Sequence, residues 1–434
     1  MKPSIATDPN QSVQSILADS PPGPGTETTD EQPVNLITIR RSGEINRKSP
    51  LKIAMIGQKG IPAIYGGVER HVENLSAELV RLGHEVTVYC RPYYCRNMSD
   101  FSNLEHPTGC RYRGVKLVML PSIRTKHLDA ISHSILASLA AGLSDFDIVH
   151  FHGIGPSLVN ILPKLTGKKV VSTIHALDYR QKKWGKVARL FLKLGFRLAS
   201  KRSDRAICVS NTFLENIKSK ERAIYIPNGV DEPSAWGIRE KSWLRENGLD
   251  PGRYLLFVGR LIEDKRCHLL CRAIEQIEGY KLAIAGQACF TDDYAVRLKN
   301  TAGPKSVFLG NVTGSKLSAL YSNSALFVLP SIVEGASIAV LEAMSHGVPV
   351  LVSDIPENIQ LVRPSENRKL GLLFRSSDDS HLLQMINYAI SRREKLIGMA
   401  RNAKIHVSEN YSWPEIARKT QDVYYEVLNR PRND

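Results

Sequence analysis

Paired cysteines are missing from this chain. Its seven cysteines are odd in number and form no C-x-x-C pair; Cys267 and Cys271 stand one helical turn apart with no second pair to match. That spacing argues against a zinc site or a disulfide framework and suits a reducing cytosol. Long apolar runs are missing too. The most apolar stretch, residues 131–143, carries His133, serines and a glycine and falls well short of the ~20 residues of a membrane span. The first residues have no apolar core, so no secretory signal is expected. Repeats and heptads are absent, which excludes solenoids and coiled coils. No DNA- or RNA-binding motif appears, so nucleic acid is not an expected partner.

What is present fits a soluble globular protein of two domains: 434 residues, 42% hydrophobic and 23% charged, are too many for one ordinary core. A formal charge of +15 fits an anionic partner, either a membrane surface or small anionic substrates. Residues 1–48, rich in Ser, Thr, Pro, Asp and Gln, read as a disordered tail whose last residues, 40–48, are basic. A first domain is expected over 49–232, a linker over 233–253 with Trp236 and Trp243, a second domain over 254–410, and a terminal helix over 411–434 that opens on the capping box Ser412-Trp413-Pro414-Glu415.

In the first domain, apolar runs at 51–56, 85–89, 115–120, 147–151, 169–174, 205–209 and 223–226 alternate with helical patterns. Strands alternating with helices make an α/β fold with a doubly wound parallel sheet, and ligands bind at the carboxyl ends of such strands. After the first strand comes a loop with glycines at 57, 60, 66 and 67. It is too long and wrongly spaced for the G-x-G-x-x-G of a dinucleotide-binding turn, yet four glycines before a helix let a ligand approach the backbone. His152 closes the strand 147–151, followed by a small Gly153; it reads either as a contact to a bound substrate or as a cap of the next helix. His175 and Asp178 follow the strand 169–174 in the same way. From Trp184, apolar Val187, Leu190, Phe191, Leu194 and Leu198 share one side of a helix, with Lys186, Arg189, Lys193, Arg197 and Lys201 elsewhere. Such a helix either lies on an anionic lipid surface or packs its stripe on the domain core.

In the second domain, Arg260 falls just past the strand 254–258 and Lys265 opens the next helix. A guanidinium fork and a mobile ammonium together suit a diphosphate, or else form a surface salt bridge with Glu263 or Asp264. The stretch 325–354 reads as buried strand, short loop, helix over 337–346 and second buried strand. Gly335, Ala336 and Ser337 let an anion reach the first amides of that helix, and the acids Glu334 and Glu342 that flank them read as acceptors of hydroxyl groups, or else the helix is simply Ser-capped and Glu342 solvated. A phosphate between hydroxyl-bearing groups describes a nucleotide sugar.

Glu334-Gly335-Ala336-Ser337 through Leu341-Glu342-Ala343 resembles the E-x7-E signature of family-4 retaining glycosyltransferases, which have the GT-B fold of two Rossmann-like domains facing across a cleft. The resemblance covers residues 51–428. It implies that Glu334 touches the donor sugar, that Glu342 holds the ribose, that Arg260 and Lys265 hold the diphosphate, and that Gly66 and Gly67 close over the donor phosphates and the acceptor. It also matches His152 to the family histidine beside the transferred carbon. His175 and Asp178 are assigned to the acceptor, and residues 310–313 to the nucleobase. Ala336 departs from the bulky residue of many relatives, which leaves the donor sugar open. Gly57-Gln58-Lys59-Gly60-Ile61-Pro62-Ala63-Ile64-Tyr65-Gly66-Gly67 resembles a bacterial surface-polysaccharide subgroup that includes rhamnosyltransferases.

The implied activity is retaining transfer from a nucleoside diphosphate sugar to a carbohydrate acceptor, lipid-linked or polymeric, in the cytoplasm or on the inner face of the membrane. A sugar-nucleotide epimerase of the same fold and a non-catalytic sugar-nucleotide-binding protein are the rivals. No cofactor or metal is expected: Asp292-Asp293 and Asp378-Asp379 lie at helix starts, where acids are ordinary.

Overall fold

A computed structural model describes residues 49–64, 66–95, 110–125, 128–181, 184–287 and 293–430. The tail expected over 1–48 lies outside the described residues, as do Tyr65, Lys182, Lys183 and Asp292.

The strands form two sheets. One holds β1 (Lys52–Ile56), β2 (Glu85–Cys90), β3 (Arg111–Tyr112), β4 (Val115–Met119), β5 (Ile148–His152), β6 (Lys169–Ile174), β7 (Arg205–Cys208) and β8 (Ala223–Tyr225), in the order β3-β4-β2-β1-β5-β6-β7-β8. The other holds β9 (Tyr254–Val258), β10 (Lys281–Ala285), β11 (Ser306–Gly310), β12 (Leu326–Leu329), β13 (Val350–Ser353) and β14 (Leu372–Phe374), in the order β11-β10-β9-β12-β13-β14. Every pairing is parallel except that of β3 with β4. Strands such as β5 and β12 are buried at every position. A parallel sheet covered on both faces requires this, which is why these strands read in sequence as unbroken apolar runs.

Alternate residues of the first sheet feed different layers. Ile53, Met55, Ile148 and Val171 pack with helix Gly67–Arg81 and with Ile416 and Tyr424 of the terminal helix Trp413–Asn429. On the other face Ala54, Val149 and Phe151 meet Ala137 and Ala141 of helix Asp129–Leu143, and Ile174 and Ala206 meet Ala199 of helix Lys186–Lys201. The last helix of the chain thus belongs to the first core, where the Tyr424 hydroxyl lies 2.7 Å from His150 Nδ1. The second sheet and its helices share one further core.

Some elements differ from expectation. Residues 233–253, read as linker, contain helix Ile238–Glu246, and Leu244 and Leu249 are buried in the second core. That helix is mostly polar and Leu244 is its one buried residue, so it gave no period. Helix Arg393–Asn410, whose buried face includes the small residues Ala400 and Ala403, and the very short edge strands β3 and β14 were likewise not expected. Ser412 heads the last helix without the side-chain bond of a capping box; its backbone pairs with Val230 instead.

In each sheet the strand order reverses beside one strand, β1 in the first and β9 in the second. The crevice at the carboxyl ends of such strands is the binding position of doubly wound sheets.

Candidate functional site

The glycine-rich loop after β1 is tied down by two carboxylates one helical turn apart. Glu69 Oε1 accepts the Lys59 amide at 3.2 Å, and Glu73 Oε2 accepts the Ala63 amide at 2.5 Å. Gly57, at φ 121°, crosses the end of β5 so closely that a Cβ there would lie 2.4 Å from the His152 carbonyl oxygen. Gly66, at φ 106°, heads helix Gly67–Arg81. Both positions need glycine for conformation and the first for space as well.

Across from this loop, Lys265 and the two expected acids occur in ion pairs. Lys265 is paired with Glu334, with side chains only 14% and 7% exposed. Glu342 accepts the Tyr321 hydroxyl at 2.8 Å on Oε2, while Arg70 Nη1 stands 3.3 Å from Oε1. Arg70 also lies 3.7 Å from Asp231. The Glu342 carboxylate holds the Arg70 guanidinium pKa above its ordinary value, and burial pushes that of the Tyr321 hydroxyl up. Ser337 precedes helix Ile338–Ser345 and makes no side-chain cap bond.

The two halves meet over a cleft with a cavity volume of about 330 Å³. Asn228 Nδ2 donates to the Ala336 carbonyl at 2.8 Å, and Asn311 Nδ2 donates to the Ile64 carbonyl at 3.0 Å. Gly335 presses against the first half: a Cβ there would lie 1.9 Å from the His175 carbonyl oxygen. Of the residues singled out in sequence, Gly66, Gly67, His175 and Asp178 line this cleft from the first half. Arg260, Lys265, Glu334, Gly335, Ala336, Ser337 and Glu342 line it from the second, as do Asn311, Val312 and Thr313.

His152 is the exception. It is buried one ring deeper, with Nδ1 3.1 Å from His175 Nε2 and Nε2 3.3 Å from the Met55 sulfur. His71 joins this cluster, its Nδ1 2.9 Å from Asn228 Oδ1. Burial keeps these imidazoles neutral: the pKa of His71 is pushed down to about 4 and that of His150 to about 3, and those of His152 and His175 are pushed well below the ordinary value. Ring nitrogens of His71, His152 and His175 lie within 4.8 Å of one another, a set that a soft divalent ion fits geometrically.

Sequence reading missed Arg70, Asn228, Tyr321 and Gln287, all at or beside the cleft. Arg70 carried a signal, since it lies on the turn that Gly66 and Gly67 open. Asn228 lies in the sequence Pro227-Asn228-Gly229, which signals a turn and not a contact, and Tyr321 and Gln287 carried no signal.

Two Rossmann-like parallel-sheet domains facing across a cleft at their strand ends form the GT-B architecture of glycosyltransferases. Residues 65–232 match the model of Glycosyltransferase Family 4, and residues 240–406 match that of Glycosyl transferases group 1. The chain belongs to glycosyltransferase family 4. An uncharacterized glycosyltransferase of Methanocaldococcus jannaschii is 28% identical over 413 residues, covering 86% of this chain and 98% of that protein. A phosphatidylinositol N-acetylglucosaminyltransferase component from Arabidopsis thaliana is 25% identical over 403 residues, covering 87% and 82%. Among solved structures, Anabaena HepE in complex with UDP-glucose superposes with a TM-score of 0.70 at 18% identity, covering 87% of this chain and 100% of that one.

Proposed function

We propose that this glycosyltransferase moves a sugar, with retention of anomeric configuration, from a nucleoside diphosphate sugar to a carbohydrate acceptor. The observation that carries the reading is the convergence of Arg260, Lys265, Glu334 and Glu342 on one cleft opposite Gly66 and Gly67. A sugar nucleotide is a diphosphate between two hydroxyl-bearing rings. Arg260, Lys265 and the helix start at Ser337 match its centre, and Glu334 and Glu342 match its ends. On donor binding the ion pairs of the cleft exchange partners: Lys265 turns to the diphosphate, Glu334 to the sugar hydroxyls, and Glu342 to the ribose. The complex of HepE with UDP-glucose supports a donor of this class.

Departure of the diphosphate leaves an oxocarbenium-like sugar. Arg260 and Lys265 stabilise the negative charge that develops on the leaving group. In the retaining course the acceptor hydroxyl attacks on the face from which the diphosphate leaves, and its proton passes to the departing phosphate oxygen. His175 and Asp178 hold the acceptor side. His152 reaches the cleft through the ring of His175 and positions it. Arg260 and Lys265 supply the charge that a divalent ion supplies in other transferases, so we read the reaction as needing no metal or organic cofactor.

We assign the acceptor to the lipid-linked glycans of surface-polysaccharide synthesis, handled at the cytoplasmic face of the membrane. The subgroup wording of the loop supports this, as does a relative named for transfer to phosphatidylinositol. The test begins with a panel of nucleotide sugars screened for protection against thermal unfolding, where a donor at 100 times its Kd adds about 2.7 kcal/mol. Product analysis by NMR then follows the anomeric centre. A new glycosidic bond of retained configuration, lost in Glu334→Ala, is expected. An altered free sugar nucleotide with no new bond would make the protein an epimerase, and binding without turnover would make it a non-catalytic binder.

A further inference from the structure

Helix Lys186–Lys201 turns its apolar stripe away from the core. Its inward face is built from small or half-buried residues: Ala188, Leu192, Gly195 and Ala199. Gly195 lies so close to the first domain that a Cβ would meet the Ile154 carbonyl oxygen at 2.0 Å. The side chains that gave the helix its period point outward instead, with Val187 71%, Leu190 69% and Phe191 55% exposed. An apolar stripe at helical spacing normally marks the buried face. Here a second, small-residue face does that work, so burial in the domain core leaves the stripe unexplained.

The stripe has apolar neighbours. Segment 156–165 packs against both this helix and helix Asp129–Leu143. Leu136, Leu139 and Leu143 of the latter are exposed, Leu143 by 84%, and so is Leu165. Most of the exposed large hydrophobic side chains among the described residues fall between Ile123 and Leu194. Exposed apolar surface concentrated in one region marks an interaction site.

Charge selects the occupant. Between Ile148 and Arg202 the acidic residue is Asp178, while lysines and arginines recur throughout. Lys186, Lys193, Arg197 and Lys201 are exposed on the same helix as the stripe. Apolar side chains flanked by cations, with no membrane-spanning helix among the described residues, are the pattern of interfacial binding: the former enter the acyl boundary and the latter meet anionic headgroups. The helix begins just after the segment containing Asp178 and Gln181, which lines the cleft. A surface seated here would present an acceptor beside the catalytic opening.

We propose that the outer face formed by helix Lys186–Lys201 with helix Asp129–Leu143 is a docking surface for an anionic lipid bilayer. The purpose we give it rests on the lipid-linked acceptor proposed above; the binding itself does not.

The test is cosedimentation of the full-length protein with vesicles of phosphatidylcholine alone and with about one third phosphatidylglycerol. Binding to the anionic vesicles, weakened by salt, is expected. The pair Leu190→Glu with Phe191→Glu should lower partition more than tenfold, and Lys193→Gln with Arg197→Gln should lower it by about fivefold per charge. Unchanged melting temperature and donor protection in these variants show an intact fold and cleft. Glu334→Ala should bind vesicles like the parent, which separates failure of this surface from failure of the transfer reaction. The proposal is overturned by equal or absent binding to both vesicle types. It is overturned equally by a solution dimer that the glutamate pair dissolves while vesicles go unbound, or by vesicle binding that appears only once residues 1–48 are removed.

Discussion

The Lys265–Glu334 pair offers the sharpest test of how the cleft is built. With side chains 14% and 7% exposed, the two charges are shielded from bulk water. Truncating one partner of a buried pair strands the other and costs roughly 3–5 kcal/mol. Both residues border a solvent-open cleft, so water recovers part of that loss and about 2 kcal/mol is the working figure. In a domain of this size each kcal/mol moves the melting temperature by about 2–4 °C. Lys265→Met and Glu334→Gln should therefore each lower the transition of the unliganded protein by about 4–8 °C. Together they should cost less than their sum, with a coupling of about 2 kcal/mol. The assay is a double-mutant cycle by scanning calorimetry without ligand, repeated with a bound nucleotide sugar. Donor protection should fall in both single variants, because each partner is assigned its own part of the donor. Additive losses in the unliganded cycle would refute the reasoning, since they would mean that the two charges do not sense one another.

Gly335→Ala places a Cβ about 1.9 Å from the His175 carbonyl oxygen, so the halves cannot meet as they do. Turnover should fall at least tenfold, by the cost of overpacking a close contact, while protection by the donor, held mainly by the second half, changes less; equal losses in both would count against the assignment. Acid should weaken the fold through His71. Burial lowers its folded pKa to about 4 from an ordinary 6.5, so the unfolded chain binds the extra proton between those values. The stability it contributes is complete above pH 6.5 and falls by about 3 kcal/mol as the pH drops to 4. Thermal midpoints of His71→Asn across that range should lack this increment. Dialysis against a chelator should leave turnover unchanged, whereas activity lost and restored by zinc would put an ion on His71, His152 and His175.

Legibility in the sequence followed the range of the interaction. Strand β9 and the residues after it, or β12 with its loop and helix, are local: apolar runs and glycines set their ends, so Arg260, Lys265, Glu334 and Glu342 fell at the cleft as expected. What joins the halves is not local. Asn228 meets Ala336 across 108 residues, and Asn311 meets Ile64 across 247. Neither contact leaves a period or a spacing, because it exists only once both sheets are wound and opposed. The helix at 186–201 shows a different failure. Its hydrophobic period was correct, but a period tells which residues share a face and not which way the face looks. The deciding fact was Gly195, whose missing side chain lets the other face lie flat against the domain.

The same distinction explains how the cleft is held together. A site collected from two separately wound sheets gathers charges that neither half compensates alone. Lys265 and Glu334 neutralise each other within the second half, but Glu342 draws on Arg70 of the first. Opening the halves would leave the Glu342 carboxylate with the Tyr321 hydroxyl as its side-chain partner among the described residues, and unpaired charge in a poorly solvated place is costly. The Arg70–Glu342 pair therefore favours the arrangement in which Gly66 and Gly67 face Ser337. A donor that takes over Glu342 through its hydroxyls removes part of that tie while adding contacts of its own to both halves. On the proposed reading, closure and release then draw on one carboxylate, and the residue that holds the ribose also helps set how readily the two domains part.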